Sequence, residues 1–300
     1  MNGQHPHHFI VAENGSSLNK MLRTYPLSRE SDEERGISGL DKVASKAVDT
    51  AKLKTWMRKE KTVDEVWKKL RLDESLNDAI ANPSMNILVK YVNMFNKVNK
   101  KNPDKHLSVI KTLSSRYGED TVAMAFLKAT EDKSTNAIAT RLLNQQQWGW
   151  LTSGKSADDV FKILKVSDDG SEFIGGRKYT LLAEYVALLV ANKPAQKVNM
   201  FMTLKNGFGG DGKFAVVVLE AMKNPLTRDD GMYWMGPLFN KWLRQDIHPS
   251  SFLTRVFKIE EKNLASASTQ EKLLAEKYKL YYEMELGIDQ IPSVIRPRRS

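Results

Sequence analysis

One glycine-rich stretch of this chain has the residue spacing of a phosphate-binding loop. Residues 207–213 read GFGGDGK and fit the G-x4-G-K spacing, in which backbone N–H groups and a lysine hold phosphates. Phe214 stands where a Ser or Thr would bind Mg²⁺. The preceding residues 197–205 have the pattern of a helix rather than of the buried strand that such a loop follows. The sequence therefore predicts an ordinary turn between two helices here, and no nucleotide cofactor.

Side chains suited to catalysis are sparse. The chain contains no Cys, which excludes thiol catalysis, disulfides and Cys-ligated zinc. The part predicted to fold contains two histidines, His106 and His248, both in loop-like contexts, so no convergent Ser-His-carboxylate set is expected. The HPHH stretch at residues 5–8 lacks neighbours that would orient its rings around a metal. We predict no catalytic, cofactor-binding or metal site, and a protein that is not an enzyme.

Two acidic and aromatic segments have a pattern that some ubiquitin-like partners recognise by strand addition. They are DEVWKKL at residues 64–70 and DDVFKIL at residues 158–164. Both lie in predicted helices whose packing would bury the aromatic side chain, and a buried side chain is not available to a partner. Paired carboxylates at 119–120 and 229–230 are interpreted as structural rather than catalytic. They lie at predicted helix starts, where negative charge complements the helix dipole.

One stretch carries more large apolar side chains than a single helix face can bury. It reads DGMYWMGPLF and occupies residues 230–239. An aromatic and methionine cluster is typical of a protein-binding hot spot, and packing against a following helical unit explains it equally well. Both interpretations stay open at this point. The candidate partner surface consists of Met232, Tyr233, Trp234, Met235 and Phe239.

The charge balance is basic, with 46 Lys and Arg against 36 Asp and Glu and a formal net charge of +10. Acids such as Asp64 and Asp158 interrupt the lysine runs, which favours solvated helix faces over a dedicated nucleic-acid stripe. A basic α-solenoid that binds nucleic acid is the alternative function. A short basic segment near the end of the chain is a candidate nuclear-import tail. Its arginines are Arg296, Arg298 and Arg299.

Residues 1–40 contain few large apolar side chains and no helical or strand period, so we predict a disordered leader. Elsewhere, the apolar run at residues 179–192 carries Glu184 and is shorter than the roughly 20 residues that a bilayer span needs. We therefore expect no membrane partner.

An internal repeat organises the rest of the chain. Trp56, Trp150 and Trp242 are separated by 94 and 92 residues, and VWKKLRL after the first matches VFKILKV after the second. Apolar residues between them recur at three- and four-residue steps, which predicts helices. We predict an all-α fold of tandem helical bundles, each about 93 residues, in a rod-like array whose junctions are fixed by the three tryptophans. The predicted parts are a leader at 1–40, a first module at 41–150, a second at 151–243, and a partial third module with the basic tail at 244–300.

The leader and the repeat together resemble the oomycete RXLR effectors, whose C-terminal parts are tandem WY or LWY helical modules. KMLR stands where the family has Arg-x-Leu-Arg, with Lys replacing the first Arg, and DEER matches the second half of the family's leader motif. VWKKLRL and VFKILKV look like the L motif, and residues 113–129 and 204–221 look like the Y motif. The translocation or processing motif that the resemblance implies consists of Lys20, Met21, Leu22, Arg23, Asp32, Glu33, Glu34 and Arg35.

The resemblance implies a secreted virulence protein that is translocated into plant cells and acts in the host cytoplasm, the nucleus or both. It implies a non-enzymatic scaffold that binds a host plant protein and suppresses plant immunity, including defence cell death. Some LWY arrays of the family recruit a host phosphatase of the 2A class, which makes such a phosphatase one possible partner. The resemblance implies no small-molecule cofactor.

Overall fold

The computed structural model of the chain describes residues 50–72 and 75–286. Within these ranges the backbone forms helices, turns and connecting loops, and no strand is present. The predicted all-α class is confirmed. No helix in the described ranges is both long and apolar enough to cross a bilayer.

The described residues belong to two compact units, which divide between Gln147 and Trp148. The first seven helices are α1 Thr50–Arg58, α2 Val63–Lys69, α3 Leu76–Ala81, α4 Ser84–Val98, α5 Val109–Tyr117, α6 Glu119–Ala129 and α7 Asn136–Thr152. The next eight are α8 Ala157–Ile163, α9 Val166–Asp169, α10 Arg177–Asn192, α11 Met200–Gly207, α12 Asp211–Ala221, α13 Arg228–Arg244, α14 Phe252–Val256 and α15 Thr269–Glu285. Short 3-10 segments occur at Pro103–Lys105, Gly170–Phe173, Pro194–Gln196, Pro249–Ser251 and Glu261–Ser266.

The predicted repeat of about 93 residues is visible as pairs of corresponding helices. α2 and α8 each have 7 residues, α6 and α12 each have 11, and α7 and α13 each have 17. α4 corresponds to α10, and α5 corresponds to α11. The tandem arrangement of helical modules is therefore confirmed.

Equivalent side chains begin the equivalent helices. Thr62 caps α2 and Ser156 caps α8, and each shares a capping box with the acidic residue three positions later, Glu65 or Asp159. Hydrogen bonds from Lys61 and from the Thr62 backbone lower the pKa of the Glu65 carboxyl. The start of both helices is thus set by local chemistry that the sequence repeats.

A tryptophan and a tyrosine form the same ring contact three times. Trp56, Trp150 and Trp242 each lie two residues before the end of a helix. Their rings meet the edges of tyrosine rings at centroid distances of 6.3, 5.7 and 5.7 Å. The three tyrosines are Tyr91 on α4, Tyr185 on α10 and Tyr278 on α15.

The tyrosine hydroxyls also make the same hydrogen bond three times. Each donates to the backbone carbonyl five residues after the tryptophan, on Lys61, Lys155 or Ile247, at 2.6, 2.6 and 2.8 Å. A ring contact and a hydrogen bond therefore join the end of one helix, the turn after it and a helix that lies about 35 residues further along the chain.

These tyrosines make folding stability sensitive to alkaline pH. Burial raises the pKa of Tyr91, Tyr185 and Tyr278 to about 12, from the ordinary value near 10. Below about pH 9, one unit under the ordinary pKa, the phenols are almost entirely neutral in both folded and unfolded chains, so they add little pH dependence. Between pH 10 and 12 they ionise more readily in the unfolded chain, and the free energy of unfolding falls. We expect urea midpoints to be flat from pH 8 to 9.5 and to drop above pH 10.

The Tyr185→Phe variant provides the control for this pH dependence. It loses the hydrogen bond to Lys155, which costs about 1 kcal/mol at pH 8, and it also removes one ionising phenol. Its loss of stability between pH 10 and 12 should therefore be shallower than that of the unmodified chain. An equal slope for the two proteins would show that another group causes the alkaline loss.

The third module is represented by α14 and α15, which follow Trp242 as α2 and α4 follow Trp56. α15 packs against α12, α13 and α14, so these helices belong to one compact unit. The predicted leader, with KMLR at 20–23 and DEER at 32–35, lies outside the described residues, and so does the basic tail. The predicted residue boundaries of the modules stay predictions.

Candidate protein-binding surface

Helix α13 carries the candidate partner surface, and its own residues fix where it lies. Asp229 and Asp230 fall in its first turn, as predicted from the paired carboxylates. Gly231 allows a close approach to α12, because a β-carbon there would lie 2.8 Å from Met222 Cγ and 3.1 Å from the Val218 carbonyl oxygen. The helix is therefore held against α12 at the turn that precedes the aromatic cluster.

The five predicted surface residues divide between the two faces of α13. Met232 and Tyr233 point outward, with exposed fractions of 56% and 45%. Trp234, Met235 and Phe239 are buried. The prediction of a surface is corrected for these last three, because they share with Trp242 the three- and four-residue spacing of the inward helix face.

Trp234 is the centre of an aromatic cluster beneath the surface. Its ring contacts Tyr179, Phe201 and Phe214 at centroid distances of 6.4, 6.4 and 6.1 Å, and contacts Tyr233 at 4.9 Å. Burial raises the pKa of the Tyr179 phenol well above its usual range. Tyr233 is thus an exposed ring that lies edge-on to a fixed, buried ring.

The second interpretation of the cluster, packing against a following unit, describes Phe239. Its ring contacts Tyr278 and Tyr281 of α15 at 5.6 and 5.3 Å. The two open interpretations therefore apply to different residues of the same helix. We call Met232 and Tyr233 the α13 patch.

Several other apolar side chains of this unit are exposed and were not singled out from the sequence, and two of them lie on or near the helices around α13 in the chain. Leu226, in the turn before α13, is 89% exposed, and Met202 on α11 is 42% exposed. A single apolar residue in a turn or in an amphipathic helix gives no signal that distinguishes it from a core residue, which is why the pattern missed both.

The acidic and aromatic segments present no aromatic side chain to a partner. Trp67 and Phe161 are buried on α2 and α8. The guanidinium of Arg116 lies 5.2 Å from the Trp67 ring centroid and pairs with Asp64, so it covers the segment from outside. Strand addition at either segment would require its helix to unfold.

The glycine-rich stretch is a turn between α11 and α12, as predicted. Gly210 has φ +114° and precedes the first residue of α12, Asp211. The Asp211 carboxylate at this helix start pairs with Lys241. The first residue of the helix is thus an acidic side chain held by a lysine of α13, and negative charge at this position does not favour a bound phosphate.

The two histidines of the folded part make local hydrogen bonds. His106 Nε2 lies 3.1 Å from the Asn99 carbonyl oxygen. His248 Nδ1 lies 2.8 Å from Ser250 Oγ and accepts from the Ser250 backbone N–H, so this pair caps a turn. Within residues 50–72 and 75–286, no three His, Cys, Asp or Glu side chains are grouped so as to hold a metal ion.

Comparison with known proteins relates this arrangement to a family. The family profile described as "RXLR phytopathogen effector protein, Avirulence activity" matches residues 1–101. An RxLR effector protein of Phytophthora infestans (strain T30-4) is 32% identical over 236 residues, which is 77% of this chain and 45% of the relative. The RxLR effector protein PSR2 of Phytophthora sojae is 24% identical over 253 residues, 81% of this chain and 37% of the relative. The chain thus spans less than half the length of these curated relatives.

A solved structure has the same fold. The crystal structure of PcRxLR12 superposes with a TM-score of 0.61 at 22% identity, over 86% of this chain and 61% of that protein. The profile match includes the leader residues that carry KMLR and DEER, and the sequence relatives span most of the helical part. The chain belongs to the RXLR phytopathogen effector family.

Proposed function

We propose that the chain acts inside plant host cells as a non-catalytic scaffold that binds a host protein through the α13 patch and thereby suppresses immunity and defence cell death. The observation that carries the proposal is the orientation of Met232 and Tyr233, two large apolar side chains that point to solvent from a helix whose other face is fixed in the core.

The patch has the properties of a binding anchor. Tyr233 contacts the buried Trp234 ring, so ordering its side chain at an interface costs little conformational entropy. Tyrosine and methionine are enriched at the centres of protein interfaces, where a flat ring and an adaptable thioether exclude water. Family membership supports a host protein as the class of partner, and a host phosphatase of the 2A class is the first candidate to examine.

The proposal predicts that the patch is needed for activity in leaf tissue. The double variant M232A/Y233A of the full chain should lose at least half of the suppression of a defence cell-death response, with protein level and helicity unchanged. Exposed side chains contribute little to folding, so the loss would reflect binding rather than unfolding.

A matched control removes two other exposed apolar side chains. Val98 and Val190 are 75% and 45% exposed on α4 and α10, and V98A/V190A should retain full suppression. Full suppression by both M232A/Y233A and V98A/V190A would contradict the role of the patch. Loss of suppression by both variants would show that exposed apolar area in general, rather than this patch, is responsible.

A further inference from the structure

The first unit carries a group of basic side chains at the end of α1, at the end of α4 and in the loop that follows α4. They are Arg58, Lys59, Lys97, Lys100 and Lys101, which we call the basic patch. All of them are exposed. Within residues 50–72 and 75–286, none of them forms an ion pair. Their positive charges are therefore available to a ligand.

Two contacts bring the parts of the basic patch to one surface. The Glu60 carboxylate, in the turn after α1, lies 2.7 Å from Lys105 Nζ, in the loop after α4. The Asn96 side chain exchanges two hydrogen bonds of 2.8 Å with the backbone N–H and carbonyl of Leu107, which closes this loop onto the end of α4. Residues 58–59 directly precede Glu60, so their charges lie beside those of the loop.

The loop after α4 is longer than its counterpart in the second module. Residues 99–102 separate the end of α4 from the 3-10 segment that begins at Pro103, whereas Lys193 alone separates α10 from Pro194. The longer loop contains Lys100 and Lys101. In tandem repeats, residues inserted into one repeat lie in surface loops and often on the binding face. The length of this loop is therefore typical of a binding element rather than of a packing element.

The charges of the basic patch are specific to the first module. Counted from the repeated tryptophan, Arg58 and Lys59 stand where the second module has a threonine and a serine. Counted from the repeated tyrosine, Lys97 stands where the second module has an alanine. In the shorter loop, Lys193 donates to the Leu151 carbonyl oxygen at 3.2 Å. Because the two modules share their helix packing, that packing does not explain the charges of the first.

The surroundings of the basic patch favour the carboxylates of a peptide over nucleic acid. Four of its five residues are lysines, which act as point charges without the planar fork of arginine. In the described part of the first unit, no aromatic ring is more than partly exposed, so none is offered to a base for stacking. The carboxylates of Glu60 and Asp104 lie among the lysines and would repel a continuous phosphate backbone, whereas the spaced carboxylates of a peptide can avoid them.

We propose that the basic patch binds an acidic segment of a partner protein, whose carboxylates pair with its lysines and with Arg58. Each exposed ion pair contributes little by itself, so the binding depends on several charges together and weakens as salt is added. The basic patch contains no residue of the α13 patch, and the proposal therefore holds or fails independently of the proposed function.

A synthetic acidic peptide tests the binding in the purified full chain. The probe is a fluorescein-labelled peptide of four Glu-Glu-Gly repeats, measured by anisotropy at about 50 mM salt, where surface charges are only weakly screened. K100Q/K101Q should bind this peptide at least fivefold more weakly than the unmodified chain. M232A/Y233A should bind it as tightly as the unmodified chain.

The matched control removes the same number of charges elsewhere in the first unit. Lys68 and Lys69 are exposed at the end of α2, and K68Q/K69Q should weaken binding of the peptide less than twofold. Equal weakening by K68Q/K69Q and K100Q/K101Q would overturn the proposal, because net charge alone would then explain the binding. A duplex of 20 base pairs of DNA is measured in parallel. A loss confined to K100Q/K101Q that affects the duplex and spares the peptide would overturn the proposal in favour of nucleic acid.

The Asp104→Asn variant supplies a test in which unfolding cannot imitate the expected result. Asp104 is exposed in the loop, and its carboxylate repels an acidic ligand. Affinity for the Glu-Glu-Gly peptide should therefore rise about twofold in this variant. Unchanged or weaker binding would contradict contact between the peptide and the loop.

Discussion

Replacing Trp242 with alanine should cost about 3–5 kcal/mol of unfolding free energy, the range for removal of a fully buried large aromatic side chain. Its ring is 0% exposed and contacts Phe252, Tyr278 and Phe239 at 5.0, 5.7 and 5.8 Å. The variant also removes the ring that packs against Tyr278, whose hydroxyl donates to the Ile247 carbonyl. Urea unfolding followed by far-ultraviolet circular dichroism measures the change.

Trp56 provides the internal comparison for this prediction. It makes the equivalent contact with Tyr91 at 6.3 Å, but its side chain is only partly buried. Trp56→Ala should therefore cost less than half as much as Trp242→Ala. A cost for Trp56→Ala that equals or exceeds that of Trp242→Ala would show that burial does not set the contribution of the repeated tryptophan.

Two glycine-to-alanine changes should alter stability in opposite directions. A β-carbon at Gly231 would meet Met222 and the backbone of α12 at 2.8–3.1 Å, and backbone atoms cannot move aside without shifting a helix. We expect Gly231→Ala to lower the unfolding free energy by about 1–3 kcal/mol. A β-carbon at Gly231 would push α13 away from α12 and so displace Met232 and Tyr233. The same variant should therefore also weaken partner binding by the α13 patch.

Gly149 on α7 is the matched control, because a β-carbon there would meet nothing within 4 Å. Gly149→Ala should raise the unfolding free energy by roughly 0.5–1 kcal/mol, because alanine loses less backbone conformational entropy than glycine when the helix forms. Thermal or urea midpoints that move in the same direction for both variants would contradict the assignment of Gly231 to a close helix contact.

The helical class and the repeat could be predicted because both depend on local pattern. The spacing of Trp56, Trp150 and Trp242 gave the period, and apolar residues at three- and four-residue steps predicted the helices between them. The tyrosine hydroxyl bonds to Lys61 and Lys155 were not predicted, since a hydrogen bond to a carbonyl 30 residues away leaves no local trace. A constant interval of 35 or 36 residues between each tryptophan and its tyrosine is the signal that could have revealed them.

The candidate surface could be predicted only in part, because it depends on tertiary packing rather than on local pattern. Composition alone identified residues 230–239 as unusual, but it could not separate Met232 and Tyr233 from Trp234. That separation depends on which side of α13 meets α12, and the close approach at Gly231 is visible only in the structure.

Affinity purification from leaf cells that express the full chain tests whether the α13 patch binds a host protein. Nuclease-treated extracts of M232A/Y233A, V98A/V190A and the unmodified chain would be compared by quantitative mass spectrometry, with an unrelated WY-module protein as the background. We expect a saturating, nuclease-resistant host protein that is recovered with the unmodified chain and with V98A/V190A, and is reduced at least fivefold with M232A/Y233A. Recovery of the same host protein by all three would contradict binding through the α13 patch, and recovery of nucleic-acid-dependent material alone would favour the basic-solenoid function instead.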